Sequence, residues 1–302
     1  MPVDASTIRI DRTQFQNTIE KRLSDLPPLP AVVVKIMQTI NNPNTTAEEL
    51  NNLIRMDQGL ASKVLRIVNS SYYGLPKKIS TITQAVMILG FNTVRNLVMG
   101  VGAFGAFAHK TIPYGLNRER FWEHCVGTAV CSSVLAKRRI QRVRGAAEEA
   151  FIGGLLHDVG TLFLDCYFPV QYAVSMAFAE QEKRPSLDAE RLVLGIDHLL
   201  VGRKITEHWN FPSHLVAMVA NHHPCNFTEE HQEMVWAVHA GDWLCWQLGH
   251  AGTPYTRGPQ LNEAVENWLG FSEETWASVR LEAETQYAAS ASLIQIIRDS
   301  TK

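Results

Sequence analysis

Residues 153–164 read GGLLHDVGTLFL, and no other stretch restricts the fold as much. A histidine and an aspartate stand side by side in an otherwise apolar run, where such groups are rarely buried unless paired or bound to a metal. The chain must therefore fold so that other elements bring partners to His157 and Asp158. On a helix, Ala150, Gly153 and Gly154 share the face of His157 and leave room beside the imidazole. Gly160 is then expected to stop that helix. Two readings fit the dipeptide alone: the pair hydrogen-bond each other or cap the helix end, or they belong to a larger polar centre.

Elsewhere apolar residues recur at helical spacing in short runs. Val33, Ile36, Met37 and Ile40 mark a first helix that Asn41-Asn42-Pro43 ends, after Pro27, Pro28 and Pro30 have forced an extended lead-in. Thr46 ahead of Glu48 and Glu49 is an N-cap for a second helix to about Met56, and Leu60, Val64, Ile67 and Val68 define a third. Thr81 with Gln84 resembles a capping box before 85–89, with Gly90 as terminator. Residues 93–108 read as a buried, glycine-containing helix and 109–117 as a linker. Further helices are expected at 121–137, around His157, and at 167–182, 187–208, 215–222 and 233–248. The tail from Gly249 holds two amphipathic helices, an appended cap without chemistry of its own. No alternating run is long enough for a sheet, and no repeat of fixed period occurs. The expected architecture is all-α, with a helical lobe over 1–115, a second helical bundle over 116–248 and a helical extension over 249–302.

A chain of 302 residues with 46% hydrophobic and 19% charged residues suits two packed lobes without long disordered tails. The formal net charge of −2 supplies no electrostatic reason to expect nucleic acid or an anionic membrane as partner. The weakly polar run 96–108 is too short to span a bilayer, and the opening residues lack the basic-then-apolar order of a secretory leader. Five cysteines without a CxxC pair suit a reducing compartment. A cytoplasmic protein is expected.

Several second-lobe helices carry ligand-type residues where packing alone does not call for them. His124 shares a face with Gly127, Thr128 and Cys131, and His198 with Leu194, Val201, Gly202 and Ile205. His222 and His223 end a helix whose inner face is Leu215, Met218 and Val219. Asp242 has Val235, Val238, Cys245 and Trp246 as helical neighbours, so its carboxylate lies on a buried face and must meet a cation or strong donors. Each histidine alone fits an ordinary satisfied core position. Together, five histidines and two aspartates directed inward from five helices point to a metal centre, and nitrogen and oxygen donors suit one or two ions of iron, manganese, nickel or zinc. His208, His214, His231, His239 and His250 are assigned to the surface or to supporting positions, with His239 placed to orient Asp242.

The order His124, His157-Asp158, His198, His222-His223, Asp242 resembles the HD phosphohydrolase superfamily. Over residues 26–242 the chain resembles its HDOD (HD-related output domain) family. Leu26-Pro27-Pro28-Leu29-Pro30, the run DQGLASKVLRIVN at 57–69, ISTITQAVMILG at 79–90, Phe121-Trp122-Glu123-His124, Gly195-Ile196-Asp197-His198 and Trp209-Asn210-Phe211-Pro212 carry that resemblance. It implies an all-helical fold and a bacterial cytoplasmic signalling role with a protein partner, usually without demonstrated catalysis. Position by position, His124, His157, Asp158 and Asp242 match the residues that bind one metal in HD domains. His198, His222 and His223 match the extra ligands of two-metal HD-GYP relatives, with Asp158 placed to bridge. Two departures stand against catalysis. Gly160-Thr161 replaces the lysine that HD hydrolases commonly carry there, and Pro224-Cys225-Asn226-Phe227 replaces the glycine-tyrosine-proline segment of cyclic di-GMP phosphodiesterases.

The leading expectation is therefore a signalling module with a metal-binding second lobe. The alternative is a metal-dependent phosphohydrolase of a nucleotide or cyclic dinucleotide, in which Asp158 is the catalytic position and Lys183, Arg184, Arg203 and Lys204 are the cations nearest in sequence for substrate phosphates. Sensing or oxidative chemistry at iron is a third. In the first lobe, Lys63, Arg66, Lys77, Lys78 and Arg95 read as a solvated basic face.

Overall fold

The structure is a computed structural model, and it describes residues 10–39, 45–107, 116–223, 230–252 and 258–300. Every regular element among them is a helix. The stretch expected as the first lobe holds α1 (Arg12–Ser24), α2 (Ala31–Thr39), α3 (Ala47–Arg55), α4 (Gln58–Val68), α5 (Ile82–Leu89) and α6 (Phe91–Gly105). The second holds α7 (Arg118–Arg139), α8 (Ala146–Leu156), α9 (Val159–Tyr167), α10 (Pro169–Glu182), α11 (Ser186–Val193), α12 (His198–His208), α13 (Ser213–Asn221) and α14 (Gln232–Gln247). The extension adds α15 (Glu263–Leu269), α16 (Glu273–Ala289) and α17 (Ala291–Ser300), three helices rather than the two expected. The Asn41-Asn42-Pro43 stop, most of the 109–117 linker and the 224–227 segment lie outside the described residues.

Local chemistry sets most of the helix starts. Thr46 and Glu49 form a reciprocal capping box at the head of α3, and Asp57 accepts from the Leu60 N–H to open α4. Thr81 accepts from the Gln84 N–H, but the Gln84 side chain returns to the Ser80 N–H rather than to Thr81. Gly90 ends α5 and starts α6 in one residue.

The expected helix over 187–208 is two helices. Gly195 stands between them at φ +72°, a conformation costly for any residue with a Cβ, and Asp197 then caps α12 through the Leu200 N–H. The expected stop at Gly160 is also displaced. The chain breaks at His157 and Asp158, and Gly160 lies in the first turn of α9. A Cβ there would collide with the His198 carbonyl and the Gly202 amide, so the glycine serves close approach of α9 to α12. Gly153 and Gly154 likewise leave no room beside the imidazole. Met218 occupies the space a Gly153 side chain would need, and the backbone of Ala129 lies 2.8 Å from where a Gly154 Cβ would stand.

Helix α7 is the axis of the second lobe. It is buried over most of its length and packs against α8, α14, α16 and α17. The main apolar cluster runs from Phe15 through Phe107, on through α7, α8 and α9, and ends with Leu293, Ile296 and Ile297 of α17. Phe104 of α6 meets Trp122 of α7 edge to face at 4.6 Å between centroids. A second cluster joins Cys131, Leu135, Leu244 and Cys245 to Val265, Leu269, Val279 and Ala283 of the extension. Cys125, Cys131, Cys166 and Cys245 are buried and free. Arg95 is not part of a solvated face: it is 5% exposed and forms a buried ion pair with Glu149 of α8. No single helix among the described residues is long and apolar enough to cross a membrane.

Candidate functional site

The break between α8 and α9 presents His157 and Asp158 to the interior of the second lobe. Asp158 stands at the N-cap position of α9 yet makes no capping hydrogen bond. The His157 Nε2 lies 3.5 Å from Asp158 Oδ2, beyond hydrogen-bond length. Neither of the local roles open to the dipeptide is therefore filled, and the pair is directed at other helices.

Those helices supply what the sequence pattern anticipates. His124 comes from α7, His198 from the first turn of α12, His222 and His223 from the end of α13, and Asp242 from α14. Asp158 faces two ways, with Oδ2 towards His157 and Oδ1 3.7 Å from His198 Nε2 and 4.0 Å from His222 Nε2. Asp242 Oδ1 lies 3.2 Å from His124 Nε2. Two triads of ligand atoms result, one of His124, His157 and Asp158 and one of His198, His222 and His223, each with its atoms within 4.8 Å of one another.

Four of the five imidazoles are oriented by a common device. Each Nδ1 faces an oxygen: His124 meets the His250 carbonyl at 2.9 Å, His157 the Gly154 carbonyl at 2.7 Å, and His222 the Val219 carbonyl at 3.0 Å. His198 Nδ1 faces Glu190 Oε2 at 2.7 Å. A proton held on Nδ1 leaves the Nε2 lone pair pointing inward. The Nε2 atoms of His198 and His222 and Oδ1 of Asp242 are buried without a hydrogen-bond partner.

Glu190 is a site residue that the sequence reading missed. It is completely buried on α11, and its Oε2 accepts from both the His198 Nδ1 and the His198 backbone N–H at 2.8 Å. Leu187 and Leu194, three residues before and four after, marked its inward face. The His250 carbonyl was also missed, because a backbone acceptor has no sequence signature. His250 is thus not merely peripheral, and the extension contributes directly to the site. His239 donates no bond to Asp242: its Nδ1 faces the His222 carbonyl at 2.7 Å, and its Nε2 accepts from the Asn262 N–H at 3.1 Å.

Burial and mutual charge set the protonation pattern. Burial opposes ionisation of Asp242 and Asp158, yet His124 for the first and His157 and His198 for the second hold both below the usual carboxylate range. Burial would also discharge His198, but Glu190 and Asp158 outweigh it and push its pKa up to about 9. His124 is raised against burial by Asp242. Burial and then the neighbouring His198 bring His223 down to about 3, while burial and the adjacent imidazoles depress His222. Ionised carboxylates therefore stand beside imidazoles of two kinds, with His124 and His198 held towards the charged form and His157, His222 and His223 towards the neutral one.

A cavity of about 390 Å3 opens on Asp158, His198, His223 and Asp242. Gly252 and residues 258–260 of the extension form part of its wall, with Gly252 packed against the His124 ring. Thr161 donates to Asp158 Oδ1 at 3.1 Å. None of the four cations suggested by sequence proximity lines it. Arg203 pairs with Glu207 and Lys204 with Glu20, and Lys183 and Arg184 are exposed outside it. The lining guanidinium is Arg191, whose Nε donates to Asp197 Oδ2 at 2.7 Å.

Comparison with known proteins follows the same outline. An uncharacterized protein of Treponema pallidum (strain Nichols) is 26% identical over 216 residues, 72% of this chain and 41% of that protein. The chain thus spans about two-fifths of the length of that curated relative. A solved structure from Marinobacter aquaeolei VT8, provisionally called a signal transduction protein, has a TM-score of 0.75 at 21% identity, covering 98% of this chain and 69% of its own. One from Shewanella amazonensis SB2B, provisionally called a metal-dependent phosphohydrolase, has a TM-score of 0.61 at 16% identity, covering 92% and 98%. At these identities the two structures establish the fold. The HDOD domain profile matches residues 26–225, the span that runs from the first lobe into the histidine-rich end of α13, and the chain belongs to the HDOD family.

Proposed function

We propose that this chain is a cytoplasmic signal-transduction module whose second lobe binds a divalent transition metal and whose conformation is read by a protein partner. The observation that carries the metal is the pair of buried Nε2 atoms of His198 and His222, which have no hydrogen-bond partner and stand 3.7 and 4.0 Å from Asp158 Oδ1. His124 Nε2 faces Asp242 Oδ1 at 3.2 Å, a contact that a proton or a cation between them makes favourable. Ligand atoms each about 2.1 Å from one ion stand roughly 3 to 4 Å apart, the separations found around Asp158 and Asp242. The residues fit the group: His124, His157, Asp158 and Asp242 would hold one ion, and His198, His222 and His223 with Asp158 a second.

A bound ion would supply Lewis acidity and a lowered pKa for coordinated water. The chain's own residues support regulation over turnover. Glu190 and the backbone carbonyls hold the imidazole tautomers, while Arg191, the guanidinium lining the cavity, is tied to Asp197. The phosphohydrolase reading keeps one specific support, the cavity beside Asp158 with Thr161 on its carboxylate.

Elemental analysis of untagged protein, purified without chelator, tests this beside Asp158→Ala and Asp242→Ala. One or two equivalents of iron, manganese, nickel or zinc are expected in the wild type and loss in both variants. Absence of metal after reconstitution, or unchanged stoichiometry in Asp158→Ala, refutes the site. Turnover of nucleotides or cyclic dinucleotides by the loaded protein, abolished in Asp158→Ala, would favour the hydrolase.

A further inference from the structure

A second concavity, sharing no lining residue with the cavity beside the histidine cluster, lies where the first lobe meets the extension. It is a groove of about 940 Å3 between α4 and α17, within the size range of small-molecule sites. Arg55, Arg66 and Lys78 line it, and no aspartate or glutamate does. In a chain of net charge −2, three cations around one groove without a lining carboxylate create a locally positive field. Asp299 comes within 3.9 Å of Arg66, beyond hydrogen-bond length, and the Arg66 side chain stays 54% exposed.

The groove is also built rather than incidental. The Asn69 side chain donates to the Leu65 and Ile79 carbonyls, both at 2.8 Å, and accepts from the Ile79 N–H at 2.7 Å. This clamp fixes the segment carrying Lys78 against the end of α4. Ser71 donates to the Ala289 carbonyl at 2.6 Å and so fastens the far wall. Between these two clamps Ser70 lines the groove at 5% exposure, and its hydroxyl has no hydrogen-bond partner. A buried hydroxyl is ordinarily satisfied, and an acceptor oxygen in the groove would satisfy this one.

We propose that the groove binds a small phosphate-bearing ligand of nucleotide size, its phosphate oxygens held by Arg55, Arg66 and Lys78 and by the Ser70 hydroxyl. Planar guanidinium groups match phosphate geometry, and Lys78 adds a point charge. Since α17 forms one wall and also packs on α4, α6 and α7, an occupant would tighten the seat of the extension on both lobes.

Isothermal titration calorimetry of the full chain with pyrophosphate and, separately, with ATP tests this. Binding of at least one probe is expected, weakened about tenfold or more in Arg66→Gln/Lys78→Gln, since a hydrogen bond to a charged group is worth roughly a factor of ten. Ser70→Ala should weaken it several-fold with an unchanged circular dichroism spectrum, and Asp158→Ala should leave it intact. Failure of both probes to bind at about 5 mM overturns the proposal, as does binding that survives the double variant. Loss in Asp158→Ala with retention in the double variant would assign the ligand to the second lobe and also overturn it.

Discussion

Removing the Glu190 carboxylate is expected to damage both the fold and the site, because one buried oxygen serves His198 twice. Glu190 is 0% exposed, and Oε2 takes the His198 Nδ1 at 2.7 Å and the His198 amide at 2.8 Å, while Oε1 has no partner. Glu190→Ala removes both bonds, opens a cavity, and leaves a buried imidazole and amide unpaired, for which breaking a buried charged pair costs about 3 to 5 kcal/mol. In a chain of this size each kcal/mol lowers Tm by roughly 2 °C, so a fall of about 6 to 10 °C is expected. Loss of an orienting partner also weakens metal affinity about 10- to 100-fold. Glu190→Gln separates the contributions. Its carbonyl can replace Oε2, so packing and both acceptor contacts survive, while the charge is lost and the new NH2 is buried without an acceptor. Thermal unfolding and competitive metal titration of the three proteins would read this out. Glu190→Ala melting within about 1 °C of wild type, with unchanged metal affinity, would refute the assignment of Glu190 as the anchor of His198.

The remaining predictions concern the α9–α12 contact and the buried ion pair between the lobes. Gly160→Ala should destabilise by about 3 kcal/mol or more, since the new Cβ meets the His198 and Gly202 backbones rather than a movable side chain. A denaturant midpoint unchanged from wild type would show that α9 and α12 can separate freely. Burial alone would raise the Glu149 pKa, but its bonds to His214 and Arg95 outweigh that and lower it below 4.5. A carboxylate depressed in the folded state contributes stability that is complete above the unfolded pKa and is lost as pH falls through the folded value. Arg95→Leu leaves Glu149 buried with His214 alone, so it should cost about 3 kcal/mol at pH 7. That deficit should shrink below about pH 4.5 as Glu149 is protonated, and a deficit constant from pH 7 to pH 4 would contradict this.

Several features were legible because they follow from adjacent residues. Helix class came from three- and four-residue apolar spacing, and the starts of α3 and α5 from the capping side chains of Thr46 and Thr81. The inward direction of His124, His198 and Asp242 came from their helical neighbours, because an ionisable group on an apolar face has to be answered by something else in the core.

Other features depended on contacts between distant segments. Gly160 has the composition of a helix stop and acts as a packing surface, because its constraint is the His198 carbonyl thirty-eight residues away. Arg95 has the composition of a surface cation and is buried, because Glu149 lies across the lobe boundary. Glu190 has its role only because α12 brings His198 against it, and the His250 carbonyl carried no side-chain signal at all. The sequence by itself determined an all-helical chain and the inward-facing ligand-type residues, since periodicity and capping act within a few residues. Only the tertiary structure decided how their Nδ1 atoms are tied and which oxygens meet which Nε2 atoms, since those distances arise from the packing of helices far apart in the chain.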